Sequence, residues 1–212
     1  MSISNYGELK AKLSRTLFNQ RFLADYDDYA TMFEASANTR LRVRLMETSI
    51  LLTTTNGDTT LPPDYLVWRT VRPTFANTSP ITPMFQPPYD ELDYTHPAYL
   101  APVGRGYDRM FTIEGNTFKV RPVDDRPNAF ELHYYQKIPT LVGNDLNTNW
   151  LLTTYPNAYV YGLMVEAAGQ GRNLEMAQLY KARRDETFQE IIQLSALTTG
   201  ATSQKVRTAE YF

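Results

Sequence analysis

The sequence predicts an α+β protein: a bundle of about four helices, an inserted antiparallel β region, and a flexible C-terminal tail. Three observations predict it. Apolar residues recur at helical three-and-four spacing in the first fifty residues and again after Thr148, whereas the stretch between them is rich in β-branched residues, turns and proline. Phe130, Leu132, Tyr134 and Gln136 alternate with Glu131, His133, Tyr135 and Lys137, which is the two-residue period of a strand. The last fifteen residues, TTGATSQKVRTAEYF, are small and polar until the aromatic end. The expected organisation is a discontinuous bundle from residues 1–47 and 141–197, an insertion from 48–140, and a tail from 198–212.

Each element has its own signal. Ser4 or Asn5 can cap a short helix through Leu9, Leu13 and Leu17, with Glu8 in its first turn. A second helix is expected after Asp25, running through Tyr29, Met32, Phe33 and Ala37 to Leu41 and Leu45. Asp27 and Asp28 near its start and Arg42 and Arg44 near its end suit the helix dipole. SILLTTT reads as a strand, Asn56-Gly57-Asp58 as a hairpin turn, and Leu61 to Tyr65 as a tight turn opening the strand LVWRTVRP. A long proline-rich excursion from about Thr74 to Gly106 has no clear period. MFTIEGNTFKVRP gives a hairpin around Gly115-Asn116, and FELHYYQKI gives the last strand, ended by Pro139. Thr148 or Asn149 caps a helix starting near Trp150, in which Pro156 either makes a kink or marks the true first turn. Gly169 and Gly171 break that helix, and another begins near Asn173, carrying Met176, Tyr180, Phe188, Ile191 and Leu194.

Composition removes several function classes. The chain has 212 residues and a formal net charge of -2, so no global basic field attracts nucleic acid or an anionic membrane. It has no cysteine, which excludes disulfides, thiolate zinc sites and cysteine nucleophiles. No apolar run is long enough to cross a bilayer and MSISNYGELK is not a signal peptide, so the expectation is a soluble product of a cytoplasm. The 15 tyrosines and 13 prolines suit either extended protein contacts or a tyrosine-rich core and surface.

No catalytic constellation emerges, and neither a cofactor nor a metal is expected. The chain lacks G-x-S-x-G, H-E-x-x-H, a Walker loop and G-x-G-x-x-G. His96 and His133 stand apart from titratable partners, and GRGYD at Gly104 is too short to cradle a phosphate. The acids Asp25, Asp27 and Asp28 fit a helix start, and Asp124 and Asp125 fit a turn. Asp90, Glu91 and Asp93 lie among Tyr89, Tyr94 and Tyr99, an acidic aromatic loop that suits a protein contact better than a sugar contact or a hydrolytic site. Arg40, Arg42 and Arg44 are candidates to face DNA, because arginine positions phosphates, against the plainer reading of a solvated helix end. Arg183 and Arg184 interrupt the apolar stripe of the last helix. On an isolated bundle they would be surface residues, and in an oligomer they could meet a neighbour's Glu186 or Glu190.

One stretch carries a family likeness. Ile138-Pro139-Thr140-Leu141, Asn149-Trp150-Leu151-Leu152, Tyr155-Pro156, Tyr159, Tyr161-Gly162 and Glu166-Ala167-Ala168 follow the final strand in an order that resembles the head-to-tail adaptor (connector) proteins of tailed double-stranded-DNA bacteriophages. LPPDYL at Leu61 to Leu66 is similar to a further segment of those proteins, and the likeness covers nearly the whole chain. The resemblance implies a structural virion protein at the capsid-tail junction, and no enzyme. It implies a homo-oligomeric ring, usually of twelve copies, below the portal protein. DNA would pass through the ring without sequence-specific binding. The tail, with Val206, Arg207, Tyr211 and Phe212, would dock on the portal, and the β region would face the next tail or nozzle protein. The alternative is another tail component, or a receptor- or sugar-binding module using the aromatic β region.

Overall fold

The computed structural model describes residues 3–17, 25–74, 82–83, 110–121, 128–171 and 173–200. The fold is α+β, with five helices and two small sheets among the described residues. It divides into two compact units, one formed by residues 1–46 with 137–212 and the other by residues 47–136.

The first unit is helical. Helix α1 (Tyr6–Leu17) begins at a two-sided cap: the Glu8 N–H donates to Asn5 Oδ1 at 2.9 Å, and Glu8 Oε2 accepts from the Ser4 N–H at 2.7 Å. Leu9 and Leu13 are fully buried. Helix α2 (Tyr26–Arg40) buries Tyr29, Ala30, Phe33 and Ala37 along one stripe. It stops at Arg40, short of the expected run through Leu45, because Leu41 turns to extended backbone with φ -88° and ψ 131°. From there Leu41 and Val43 are buried while Arg44 and Leu45 are exposed, and a 3₁₀ turn follows at Arg44–Met46. The Arg42 guanidinium seals the helix end, with Nη1 donating to the carbonyls of Asn38 and Leu41, both at 2.5 Å.

The expected single helix from Trp150 is two. Asn149 caps α3 (Trp150–Thr154), its Oδ1 accepting from the Leu152 N–H at 2.9 Å. Pro156 then opens α4 (Pro156–Gln170) at a position where its missing N–H costs nothing. The Gly171 N–H closes α4 on the Ala167 carbonyl at 3.0 Å. Helix α5 (Leu174–Gly200) is the longest, with Phe188 and Ile191 buried.

Among its described residues the second unit holds seven strands: β1 (Glu47–Thr54), β2 (Asp58–Thr60), β3 (Tyr65–Pro73), β4 (Thr82–Pro83), β5 (Met110–Glu114), β6 (Thr117–Arg121) and β7 (Asn128–Gln136). One sheet has the order β1-β7-β3, antiparallel throughout. The other has the order β2-β6-β5-β4, antiparallel except for the two-residue parallel pair of β4 and β5. The turn at Asn56 (φ 53°) and Gly57 (φ 80°) forms as expected, but the hairpin it makes is a single bridge between Thr55 and Asp58. Beyond it β1 and β2 part into different sheets. Leu52, Val71, Phe130 and Leu132 of the first sheet and Phe111, Phe118 and Val120 of the second share one apolar core. An aromatic chain runs through it, from Trp68 to Phe111 (5.2 Å between centroids), Phe118 (5.6 Å) and Phe130 (6.0 Å). The Tyr134 hydroxyl donates to Asp64 Oδ1 at 3.0 Å, holding the Pro62–Tyr65 turn against β7, and burial with that carboxylate pushes the phenol up to about 12.

Candidate functional surfaces

The most organised polar cluster lies inside the helical unit. Glu34, on the buried stripe of α2, accepts from the Leu141 N–H at 2.9 Å and from the Tyr159 hydroxyl at 3.1 Å. That hydroxyl in turn accepts from Asn149 Nδ2 at 2.6 Å, and the same amide donates to the Pro139 carbonyl at 2.7 Å. Asn38 Oδ1 takes the Ile138 N–H at 2.8 Å. The segment from Ile138 to Leu152 is thereby held on α2 by side chains that satisfy its backbone. Burial raises the Glu34 carboxyl, against the bonds from Leu141, Thr140 and Tyr159 that lower it. Burial raises the Tyr159 phenol too, and the Glu34 charge adds to it. The cluster holds no nucleophile beside an open base; its chemistry is that of a structural tie.

A second tie joins α2 to α5. Asp185 accepts from Arg40 at 2.6 Å and from Arg184 Nε and Nη2 at 3.1 and 3.0 Å. Arg184 is only 4% exposed and lies over the Phe188 ring. This corrects the surface placement expected for Arg184: it is buried within its own unit, where Asp185 neutralises it. Arg183 points out, with its side chain 59% exposed and 3.5 Å from Glu186. Of the three arginines proposed for a DNA channel, Arg40 is committed to Asp185, Arg42 caps α2, and Arg44 is exposed with its backbone N–H on Ser195 Oγ at 3.0 Å.

Among the described residues, two concave surfaces stand out. A groove of about 520 Å³ in the helical unit is lined by Val43, Leu45, Tyr155, Ile191 and Leu194, with Arg44 and Ser195 at its polar side. A polar groove of about 530 Å³ lies on the first sheet of the β unit, where Ser49, Thr70 and His133 share one cross-strand row. Glu47 pairs with Arg69 there, and His133 Nε2 is 3.3 Å from Glu131 Oε2. Among the described residues, no three His, Cys, Asp or Glu side chains group to hold a metal, and no helix is long and apolar enough to cross a membrane. Tyr89, Tyr94 and Tyr99, the acids Asp90, Glu91 and Asp93, His96, and the tail residues Val206, Arg207, Tyr211 and Phe212 lie outside the described residues.

Glu34 and Asp185 were not singled out from the sequence. A signal for Glu34 was there, since it falls on the Ala30-Phe33-Ala37 stripe, where a carboxylate must find donors. Asp185 carries no such mark.

Residues 4–207, which take in the whole β unit, nearly all of the helical unit and the Ile138–Ala168 stretch, match the family model described as SU10 adaptor protein. The chain belongs to the SU10 adaptor protein family. It is a phage adaptor, a structural component of the virion, and its family is not one of enzymes. The match takes in the buried Glu34–Tyr159–Asn149 tie, so this polar core sits inside the region that defines the adaptor. A comparison with curated proteins finds no match.

Proposed function

We propose that the chain assembles with copies of itself into a ring, of twelve by likeness to its family, below the portal protein. The ring links the capsid vertex to the downstream tail or nozzle protein, and DNA passes through it without sequence-specific binding. The observation that carries this reading is the adaptor-family match over residues 4–207, which spans the helical and the β unit alike. A net charge of -2 is compatible with a channel that lets DNA slide rather than holding it. Arg44, exposed where Arg40 and Arg42 are engaged, is the best placed of the three to meet phosphates. The tail residues Val206, Arg207, Tyr211 and Phe212 dock on the portal, two aromatic rings at the end acting as anchors. Tyr89, Tyr94 and Tyr99 belong to the interface with neighbouring subunits or the tail component.

The test is electron microscopy of the purified chain mixed with portal rings, with the chain alone as control. A ring stacked coaxially on the portal is expected. A folded chain that leaves intact portals bare would overturn the reading and favour a different tail component.

A further inference from the structure

Helix α5 carries two faces. Arg184, Phe188 and Ile191 form the buried one. On the other, Met176, Leu179, Arg183, Glu186, Glu190, Leu194 and Leu197 follow one another at steps of three and four, which places them on one outward stripe. Its apolar members are well exposed: Met176 38%, Leu179 50%, Leu194 51% and Leu197 71%. The charged members occupy the middle and the apolar ones both ends.

The order is palindromic. About the midpoint between Glu186 and Thr187, Met176 mirrors Leu197, Leu179 mirrors Leu194, and Arg183 mirrors Glu190. We propose that this stripe is a homotypic docking surface, on which the α5 of a second copy lies antiparallel. In that arrangement apolar meets apolar at both ends, and Arg183, already near its own Glu186 at 3.5 Å, gains the partner's Glu190, so that the two arginines flank the pair of Glu186 carboxylates brought together at the axis. A parallel arrangement would set Arg183 over Arg183 and Glu190 over Glu190, which is repulsive. Two acids against one arginine also make the stripe a poor surface for DNA. The contact runs about 30 Å along the helix. With four apolar side chains per copy it belongs with small, reversible interfaces of micromolar strength. A two-fold contact closes after two copies and cannot propagate a ring. It therefore describes the free chain, independently of the ring reading, and releasing it would precede any assembly that uses this face.

The natural absence of cysteine makes the geometry testable by single replacements in the full-length chain. Under mild oxidation Glu186→Cys, next to the two-fold axis, is expected to form a disulfide-linked dimer. Leu179→Cys alone is expected to stay monomeric, because its counterpart lies about 20 Å away along the helix, while an equimolar mixture with Leu194→Cys cross-links. In sedimentation at micromolar concentration, Arg183→Glu is expected to weaken self-association more than about tenfold, and Arg183→Glu with Glu190→Arg to restore it. Circular dichroism confirms that each variant is folded. Efficient cross-linking of Leu179→Cys to itself, or a monomer throughout with no cross-link from Glu186→Cys, would overturn the proposal. Portal docking is not needed for either readout, so failure here leaves the adaptor role standing.

Discussion

Gly162 sits where α4 crosses α2, and a methyl group built there would collide with the Phe33 ring. Phe33 is itself fixed by Tyr159 (4.8 Å between centroids) and Phe188 (6.1 Å), so it has little room to yield. Gly162→Ala is expected to destabilise the chain by about 1–3 kcal/mol, read as a fall in denaturation midpoint at unchanged slope; a midpoint equal to wild type would show that the ring moves aside. Glu34 makes a pH prediction. Its folded-state value is raised, so the stability it contributes is fully present below the unfolded value and is lost as pH rises through the folded one. Glu34→Gln, which cannot ionise, should therefore gain on wild type as pH climbs past the usual carboxylate range. Parallel stability profiles for the two proteins would reject this. Gly162 was not legible in advance: a glycine between Tyr161 and Leu163 looks like any other until the opposing ring is known. Glu34 carried the signal of its place on the α2 stripe, but its donor at Leu141, more than a hundred residues on, could not be named.

Among the elements, local chemistry was legible and long-range choice was not. The Asn5–Glu8 cap, the Asn56-Gly57 turn, the Asn149 cap and the start of the last helix at Asn173 all rest on contacts within four residues, and all are present. The end of α2 was missed because tertiary demands outweighed its periodicity: the core takes Leu41 and Val43 in alternation, which only extended backbone allows. The sheet order was not readable either, because β1 pairs with β7 across some eighty residues, as in Leu52 opposite Phe130. Helix α5 offers a graded test. Arg40→Ala removes one exposed ion pair and should cost no more than about 1 kcal/mol. Asp185→Ala strips the partner from buried Arg184 and should cost more, about 1–3 kcal/mol. Equal losses in chemical denaturation would mean that Arg184 finds another acceptor.

For the whole molecule, the α+β class could be read from the switch between helical and strand periods, because each unit buries its own patterned faces. The family could be read from the order of short motifs between Tyr134 and Ala168. The interfaces with the portal and the tail could not, since nothing in the chain's own pattern names a different molecule. The proposed portal dock is testable at this scale by deleting Ala209 to Phe212. The truncated chain should keep its melting temperature and lose its place on portal rings; coaxial stacking by the truncated chain would remove the tail from the mechanism.

Strand β7 is the last strand among the described residues and the middle one of its sheet, so β1 and β3 flank it without pairing with each other. Glu34 likewise waits for donors at Leu141 and Tyr159. Both units thus depend on one late stretch, from Asn128 to Tyr159, and the helical unit also waits for Phe188 and Ile191 of α5. On a ribosome the first hundred and twenty-odd residues would emerge with two strands lacking their shared neighbour and a carboxylate lacking its bonds. The β unit can then close only once β7 clears the exit tunnel, and the helical unit only once α5 follows it; refolding from denaturant should be slow, as the high sequence separation of these contacts dictates.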